Sequence, residues 1–112
     1  MQIFFSSHFK GQLKSCKKKY PKICGDLLSE LRIFQVEKSI SIGKSIYKIR
    51  IASSDMNKGK SGGFRSYVYF YVRKDLLVPL CIYAKSEQES ISLCELQIHF
   101  ENIVPELLIL LG

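Results

Sequence analysis

Two hydrophobic periods divide the chain, one helical in its first third and one of two residues in its middle. Gln2-Ile3-Phe4-Phe5 reads as a short strand, and Ser6 or Ser7 can cap a helix behind it. In that helix Phe9, Leu13, Cys16 and Tyr20 recur at spacings of four, three and four, which is one apolar stripe. Lys10, Lys14, Lys17, Lys18 and Lys19 lie off that stripe. Pro21 is tolerated at the start of a second helix, whose face is Cys24, Leu27, Leu28, Leu31 and Phe34. Together they make an αα-hairpin with a basic outer surface, its apolar stripe reading as core rather than cofactor box.

From Tyr47 the period becomes two. Tyr47, Ile49 and Ile51 alternate with Lys48 and Arg50, a half-buried strand with one basic face. A polar loop follows, Asp55-Met56-Asn57-Lys58-Gly59-Lys60-Ser61-Gly62-Gly63. The next strand sets Phe64, Ser66, Val68, Phe70 and Val72 against Arg65, Tyr67, Tyr69, Tyr71 and Arg73. Lys74-Asp75 reads as a turn, and the strand after it sets Val78, Leu80, Ile82 and Ala84 against Cys81, Tyr83 and Lys85. Pro79 cannot donate to a ladder, so it belongs at that strand's start or at a sheet edge. Ser86-Glu87-Gln88-Glu89 has the form of a capping box, predicting a helix to about Phe100 buried along Ile91, Cys94 and Ile98. After Pro105 a short apolar run, Leu107 to Leu111, is expected to cover the open end of the core. The order β-α-α-β-β-β-α predicts one α+β domain over residues 1–112: a small antiparallel sheet with the αα-hairpin packed on one face.

Composition narrows the class. The 112 residues are 46% hydrophobic and 12% aromatic, which excludes a disordered chain. No stretch reaches the roughly 18 apolar residues of a membrane span. Nor does the start of the chain carry a secretory pattern, so a cytoplasmic domain with no membrane partner is expected. Four cysteines (Cys16, Cys24, Cys81 and Cys94) form no C-x-x-C pair and sit among apolar residues. They read as small core side chains rather than as a disulfide framework or a zinc site, and no cofactor is expected.

Charge adds a direction. Residues 1–74 hold 16 of the 17 basic side chains and four acidic ones, net +12, whereas residues 75–112 are net −5. Such asymmetry points to a polyanion-facing surface built from the first two-thirds. Gly43-Lys44-Ser45 and Gly59-Lys60-Ser61 fail as phosphate loops, because Lys38 and Ser54 stand where the leading glycine belongs. His8 and His99 have no nucleophile and carboxylate arranged around them and read as packed or surface residues. What remains is a basic-aromatic sheet face, on which Lys48, Arg50, Arg65, Arg73, Lys85, Tyr67, Tyr69 and Tyr83 can share one side if the three strands are neighbours. Cations for phosphates with rings for unpaired bases suit single-stranded or distorted RNA, while tyrosines also serve as plain strand formers.

The segment from Tyr47 to Val72, with its Gly59-Lys60-Ser61-Gly62-Gly63-Phe64-Arg65 strand entry, and the Tyr83-Ala84-Lys85 strand end resemble the RelE/ParE toxin superfamily. More narrowly they resemble RelE/HigB-like toxins of type II toxin–antitoxin systems. The resemblance is close over residues 46–92, and the elements on either side agree in order. It implies a RelE-like fold and a ribosome-dependent mRNA endoribonuclease (an mRNA interferase) that inhibits translation by cutting in the ribosomal A site without a metal. Its partners would be a cognate antitoxin protein, the ribosome and mRNA. The 2′-hydroxyl would attack the neighbouring phosphate and leave a 2′,3′-cyclic end, needing a base, cations for the developing charge and an acid for the 5′-oxygen.

By position Arg65 would steady the scissile phosphate, with Lys85 and Tyr83 beside it. Lys58 and Lys60 would act as base or charge stabiliser; Lys48 and Arg50 would hold the RNA backbone. After Lys85 the chain runs Ser86-Glu87-Gln88-Glu89, without the further arginine and tyrosine that several RelE-type toxins carry there, which leaves Tyr83 as the substitute acid. Two other readings stay open: a ParE-like DNA gyrase inhibitor, and a non-catalytic RNA-binding member of the fold.

Overall fold

The helical third folds as its stripe dictates. In a computed structural model describing residues 1–112, β1 (Gln2–Ile3) leads into α1 (Ser7–Lys17), whose Ser6 cap accepts the Phe9 N–H at 3.0 Å. After a turn through Pro21 comes α2 (Ile23–Arg32), starting two residues later than the proline suggests. Phe9, Ile23, Leu27 and Leu31 are fully buried between the hairpin and the sheet. Each such side chain contributes about 1.5–3 kcal/mol on leaving water. Tyr20 lies beyond α1 but keeps its place in the core, edge-on to Phe64 at 5.1 Å.

Five strands form one sheet in the order β1-β5-β4-β3-β2, with β2 at Ile40–Ser41, β3 at Ile46–Ile51, β4 at Phe64–Tyr71 and β5 at Leu76–Ala84. The fold is α+β. The sheet is mixed rather than wholly antiparallel, because β1 runs parallel to β5, pairing Gln2 with Leu76 and Ile3 with Leu77. β2 is an element the periodicity missed: two residues are too few to show a period. Gly43, Lys44 and Ser45 make the turn between β2 and β3, all three at positive φ, so the first Gly-Lys-Ser triplet is hairpin chemistry.

A bulge corrects the expected faces of β5. Tyr67 pairs with Cys81, but Val68 pairs with Pro79, which leaves Leu80 extra. The Gln12 side chain fills the gap like a short strand, its amide donating to the Leu80 carbonyl at 3.0 Å and its oxygen accepting from the Ile82 N–H at 3.2 Å. An extra residue inverts the alternation. Val78 and Leu80 therefore pack away from the hairpin, while Ile82 and Ala84 pack toward it. Pro79 lies where β5 has outrun its β1 partner, so its missing N–H costs no ladder bond.

The last helix differs most from expectation. Ser86-Glu87-Gln88-Glu89 starts no helix; α3 (Leu93–Leu111) is capped by Ser92, whose hydroxyl accepts the Glu95 N–H and donates to the Glu95 carboxylate. The Ser-x-x-Glu that caps the helix is six residues later. With that start the buried stripe becomes Leu96, Ile103 and Leu107, and Cys94 and Ile98 are exposed. The helix runs on through Pro105, which forfeits an internal hydrogen bond. Burial of Ile103 and Leu107 over Leu76, Val78 and Leu80 offsets that loss. Leu107 and Leu111 cover the core as expected, but Leu108 and Ile109 are 63% and 82% exposed.

α3 lies on the sheet face opposite the hairpin and is tied to α1. Glu106 accepts the Ser7 N–H at 2.7 Å and the Ser7 hydroxyl at 2.6 Å, which satisfies a free donor of α1's first turn. Those two bonds hold the Glu106 carboxyl below its ordinary range. The two histidines meet here, His8 Nε2 to His99 Nδ1 at 2.7 Å. They are packing residues that couple two helices. No helix is long and apolar enough to cross a membrane.

Candidate functional site

Register aligns the candidate residues in rows across the three central strands. Arg50 of β3, Arg65 of β4 and Tyr83 of β5 form one row; Lys48, Tyr67 and Cys81 form the next; Ile46, Tyr69 and Val78 the third. Lys85, one residue past β5, donates its N–H to the Gly63 carbonyl at 3.0 Å and extends the first edge of this face. Of the eight residues expected to share one side, the pairing aligns Lys48, Arg50, Arg65, Tyr67, Tyr69 and Tyr83 in these rows, while Lys85 lies just past β5 and Arg73 past β4. Accessibility then divides them.

Tyr67 does not present its ring to solvent, and Tyr69 is half-buried. Tyr67 is 5% exposed and packs with Cys81, Tyr83 and Leu96 beneath α3. Tyr69 stacks on Tyr71 at 6.4 Å and meets the Phe100 ring edge-on at 5.3 Å. The helix placed on this face turns Tyr67 of the expected base-stacking platform into core and leaves Tyr69 partly open beside Phe100. Arg73 is exposed in a turn at the far end of β4, remote from Arg65 along the strand, and stands outside the cluster.

Arg65 is the second correction. It is 3% exposed, and its guanidinium is committed to backbone: Nη1 donates to the carbonyls of Lys60 at 2.8 Å and Phe64 at 3.0 Å, and Nη2 to that of Ser61 at 2.9 Å. No carboxylate balances it. Gly63 explains the rest of the motif. A Cβ there would stand 2.0 Å from the Ile51 carbonyl oxygen and 3.0 Å from the Ser53 nitrogen, so only glycine lets the loop end lie against β3. The Gly-Gly-Phe-Arg segment therefore works as a clamp, glycine for close approach and arginine for the loop carbonyls. Its unbalanced cation still raises the positive potential at this end of the sheet.

Tyr83 is 8% exposed and its hydroxyl is buried with no hydrogen-bond partner. Burial first, with Tyr67 and Cys81 alongside, pushes the phenol far above its usual range. It stays protonated at neutral pH, yet it is out of reach of a substrate, which removes it as the acid in this conformation.

The accessible cations gather beside β3. β2 pairs only with Tyr47 and Lys48, so the rest of β3 has an open edge. A cleft of about 320 Å³ opens against that edge and the end of α2; Lys38, Lys48, Arg50 and Lys60 line it, with Glu30 as its one acid. Glu30 bonds Lys60 Nζ at 3.1 Å and leaves Lys38, Lys48 and Arg50 outside any ion pair. Lys58 is exposed on the same loop, whose two-residue bridge with Ser53 fixes its base.

Comparison with known proteins adds no relative. No family model, curated protein or solved structure matches the chain.

The site is therefore defined by its own chemistry: three unpaired cations at a sheet edge with the Glu30-bound Lys60 among them, a buried uncompensated guanidinium on the next strand, Lys58 on the adjoining loop, and Lys85 past the end of β5, two strands from that edge. Lys38 and Glu30 escaped the sequence reading. Nothing in the spacing marks them, because the short turn at Val36–Lys38 and the two-residue β2 bring Lys38 to the cleft. The structure contains no cluster of three or more His, Cys, Asp or Glu side chains arranged to hold a metal.

Proposed function

We propose that the chain is an RNA-directed toxin domain of the RelE-like kind, whose cationic cleft holds mRNA on the ribosome and whose lysines of the adjoining loop and the end of β5 cut it, with a cognate antitoxin as its neutralising partner. The observation that carries this reading is the cleft itself: Lys38, Lys48 and Arg50 are unpaired at an open strand edge, with one acid among four cations. A groove with that balance attracts a polyphosphate backbone and orients it along the strand. The chemistry asked of it is transfer within the RNA. The 2′-oxygen forms a bond to phosphorus as its proton passes to a base, the P–O5′ bond breaks, and a proton goes to the leaving 5′-oxygen. The products are a 2′,3′-cyclic phosphate and a 5′-hydroxyl.

In this reading Lys85, whose N–H binds the loop end at Gly63, and the loop's Lys58 and Lys60 supply proton transfer and charge stabilisation, while Lys48 and Arg50 position the backbone. Arg65 acts by holding the loop that carries Lys58 and Lys60. Induced expression of the wild type should stop growth and leave mRNA cut within codons. Lys85→Ala should abolish both while its melting temperature stays unchanged. Equal toxicity of the two proteins would overturn the assignment of Lys85.

A second reading, binding without cleavage, is favoured by Arg65 and Tyr83. One is committed to three carbonyls and the other is buried, so two groups of the expected reaction centre do not face the cleft. It predicts RNA retention by the cleft with no translation-dependent cuts.

A further inference from the structure

A second cationic surface lies away from the cleft. Lys10, Lys14, Lys17 and Lys18 fall at i, i+4, i+7 and i+8 along α1 and its C-cap, so they share one arc of the helix, and all four are exposed. The neighbouring arc holds Phe9, Leu13 and Cys16, packed into the core. α1 contains no acidic residue, and none of the four lysines is in an ion pair. Lys19, next along, is bound by Glu87 at 2.9 Å. Glu106, whose carboxylate feels Lys10, is already engaged by Ser7. Gly11 sits beside the stripe with nothing within 4 Å of a Cβ, so packing does not require a glycine there. Its absence of a side chain leaves the helix surface low next to the cations.

We infer that this stripe docks the phosphate backbone of double-helical RNA, and it rests on the RNA-directed reading above for the identity of the polyanion. The stripe is rigid and straight, lysines at i and i+4 standing roughly 6 Å apart along the axis. A duplex presents phosphates in an equally rigid row. No aromatic side chain is exposed on α1, so the surface lacks the rings that hold unpaired bases, in contrast to what single strands require. An anionic membrane is disfavoured because the apolar arc of α1, which would have to enter the lipid, is buried in the protein. The division of labour is then a mobile single strand in the cleft and a folded RNA region against α1.

The test compares the wild type, the quadruple variant Lys10→Gln/Lys14→Gln/Lys17→Gln/Lys18→Gln, and the cleft variant Lys48→Gln/Arg50→Gln. Each is titrated by fluorescence anisotropy with an RNA duplex of roughly 16 base pairs and with an unstructured single strand, across a salt series. The quadruple variant should lose at least tenfold in duplex affinity and flatten the log–log salt slope by about 3 to 4, at about 0.9 per phosphate contact. Its single-strand affinity and melting temperature should be those of the wild type. An unchanged duplex affinity and slope overturns the inference, whatever the cleft variant does. So does binding to phosphatidylserine vesicles that the quadruple variant loses while duplex binding is kept. If the cleft variant leaves single-strand binding intact but the stripe still governs duplex binding, the docking surface stands and the cleft reading falls.

Discussion

Replacing Arg65 by alanine separates a structural clamp from a phosphate ligand. The wild-type guanidinium makes three hydrogen bonds to carbonyls at 2.8, 3.0 and 2.9 Å, two of which tie residues 60 and 61 to β4. Bonds from a charged donor contribute about 1.5–3 kcal/mol each, so the two loop ties carry about 3–6 kcal/mol. Those values are already net of exchange with water, and relief of the buried, uncompensated charge offsets only part of them. The freed carbonyls belong to an exposed loop and regain water. The net expectation is a loss of about 2–3 kcal/mol, a drop in urea midpoint of about 1–2 M. Amide exchange should accelerate at residues 60–63 before it does in the hairpin, because the loop detaches first. A variant within 0.5 kcal/mol of wild type, with unchanged exchange in the loop, would refute the clamp and return Arg65 to the role of a ligand held in reserve.

Other consequences follow from neighbouring contacts. Gly63→Ala forces a methyl to within 2.0 Å of the Ile51 carbonyl, so the loop or the end of β3 must move, and a stability loss of at least about 2 kcal/mol is expected by chemical denaturation. Tyr83→Phe removes a buried hydroxyl that has no partner and should leave stability unchanged or raise it by about 1 kcal/mol; a clear loss would mean the hydroxyl is bonded in solution. Glu106 has its carboxyl lowered by Ser7, so its stabilising contribution is complete above the ordinary value of 4.5 and is lost as pH falls through the depressed one. Glu106→Gln should therefore be less stable than wild type near neutrality, with the gap closing below that window. His99 is lowered by burial first and by His8 second, so neutral His99 favours the fold above 6.5, and acidification below that value loosens α1 from α3. A thermal-melt series of His99→Phe should lack that acid limb.

How far the sequence carried the fold depends on what each element needed. The hairpin was legible because Phe9, Leu27 and Leu31 obey a helical period and a serine able to cap precedes it, Ser6 rather than Ser7 in the event. The strands β3 and β4 were legible by alternation, and their register brings Arg50 and Arg65 side by side as that alternation implies. Single events hid the rest. One extra residue at Leu80 inverts the faces of β5, and no local pattern announces it, since its cause is a side chain, Gln12, some 70 positions away. Two serines, Ser86 and Ser92, each precede a Glu by three residues, and tertiary packing of Leu96, Ile103 and Leu107 selects the second. That choice decides the site as well. A helix starting at Leu93 covers Tyr67, which the strand pattern alone leaves facing solvent. The cations Lys48 and Arg50 were found where charge alternation placed them, whereas Lys38 required the turn before β2.

The most direct measurement of the central claim is the mapping of RNA ends produced by the purified protein on translating ribosomes, compared with the Lys85→Ala variant. The account predicts cuts within codons that end in 2′,3′-cyclic phosphates, dependent on the ribosome and absent with the variant. RNA that is bound by the Lys48 and Arg50 cleft yet uncut on ribosomes, or cuts that persist in Lys85→Ala, would contradict it.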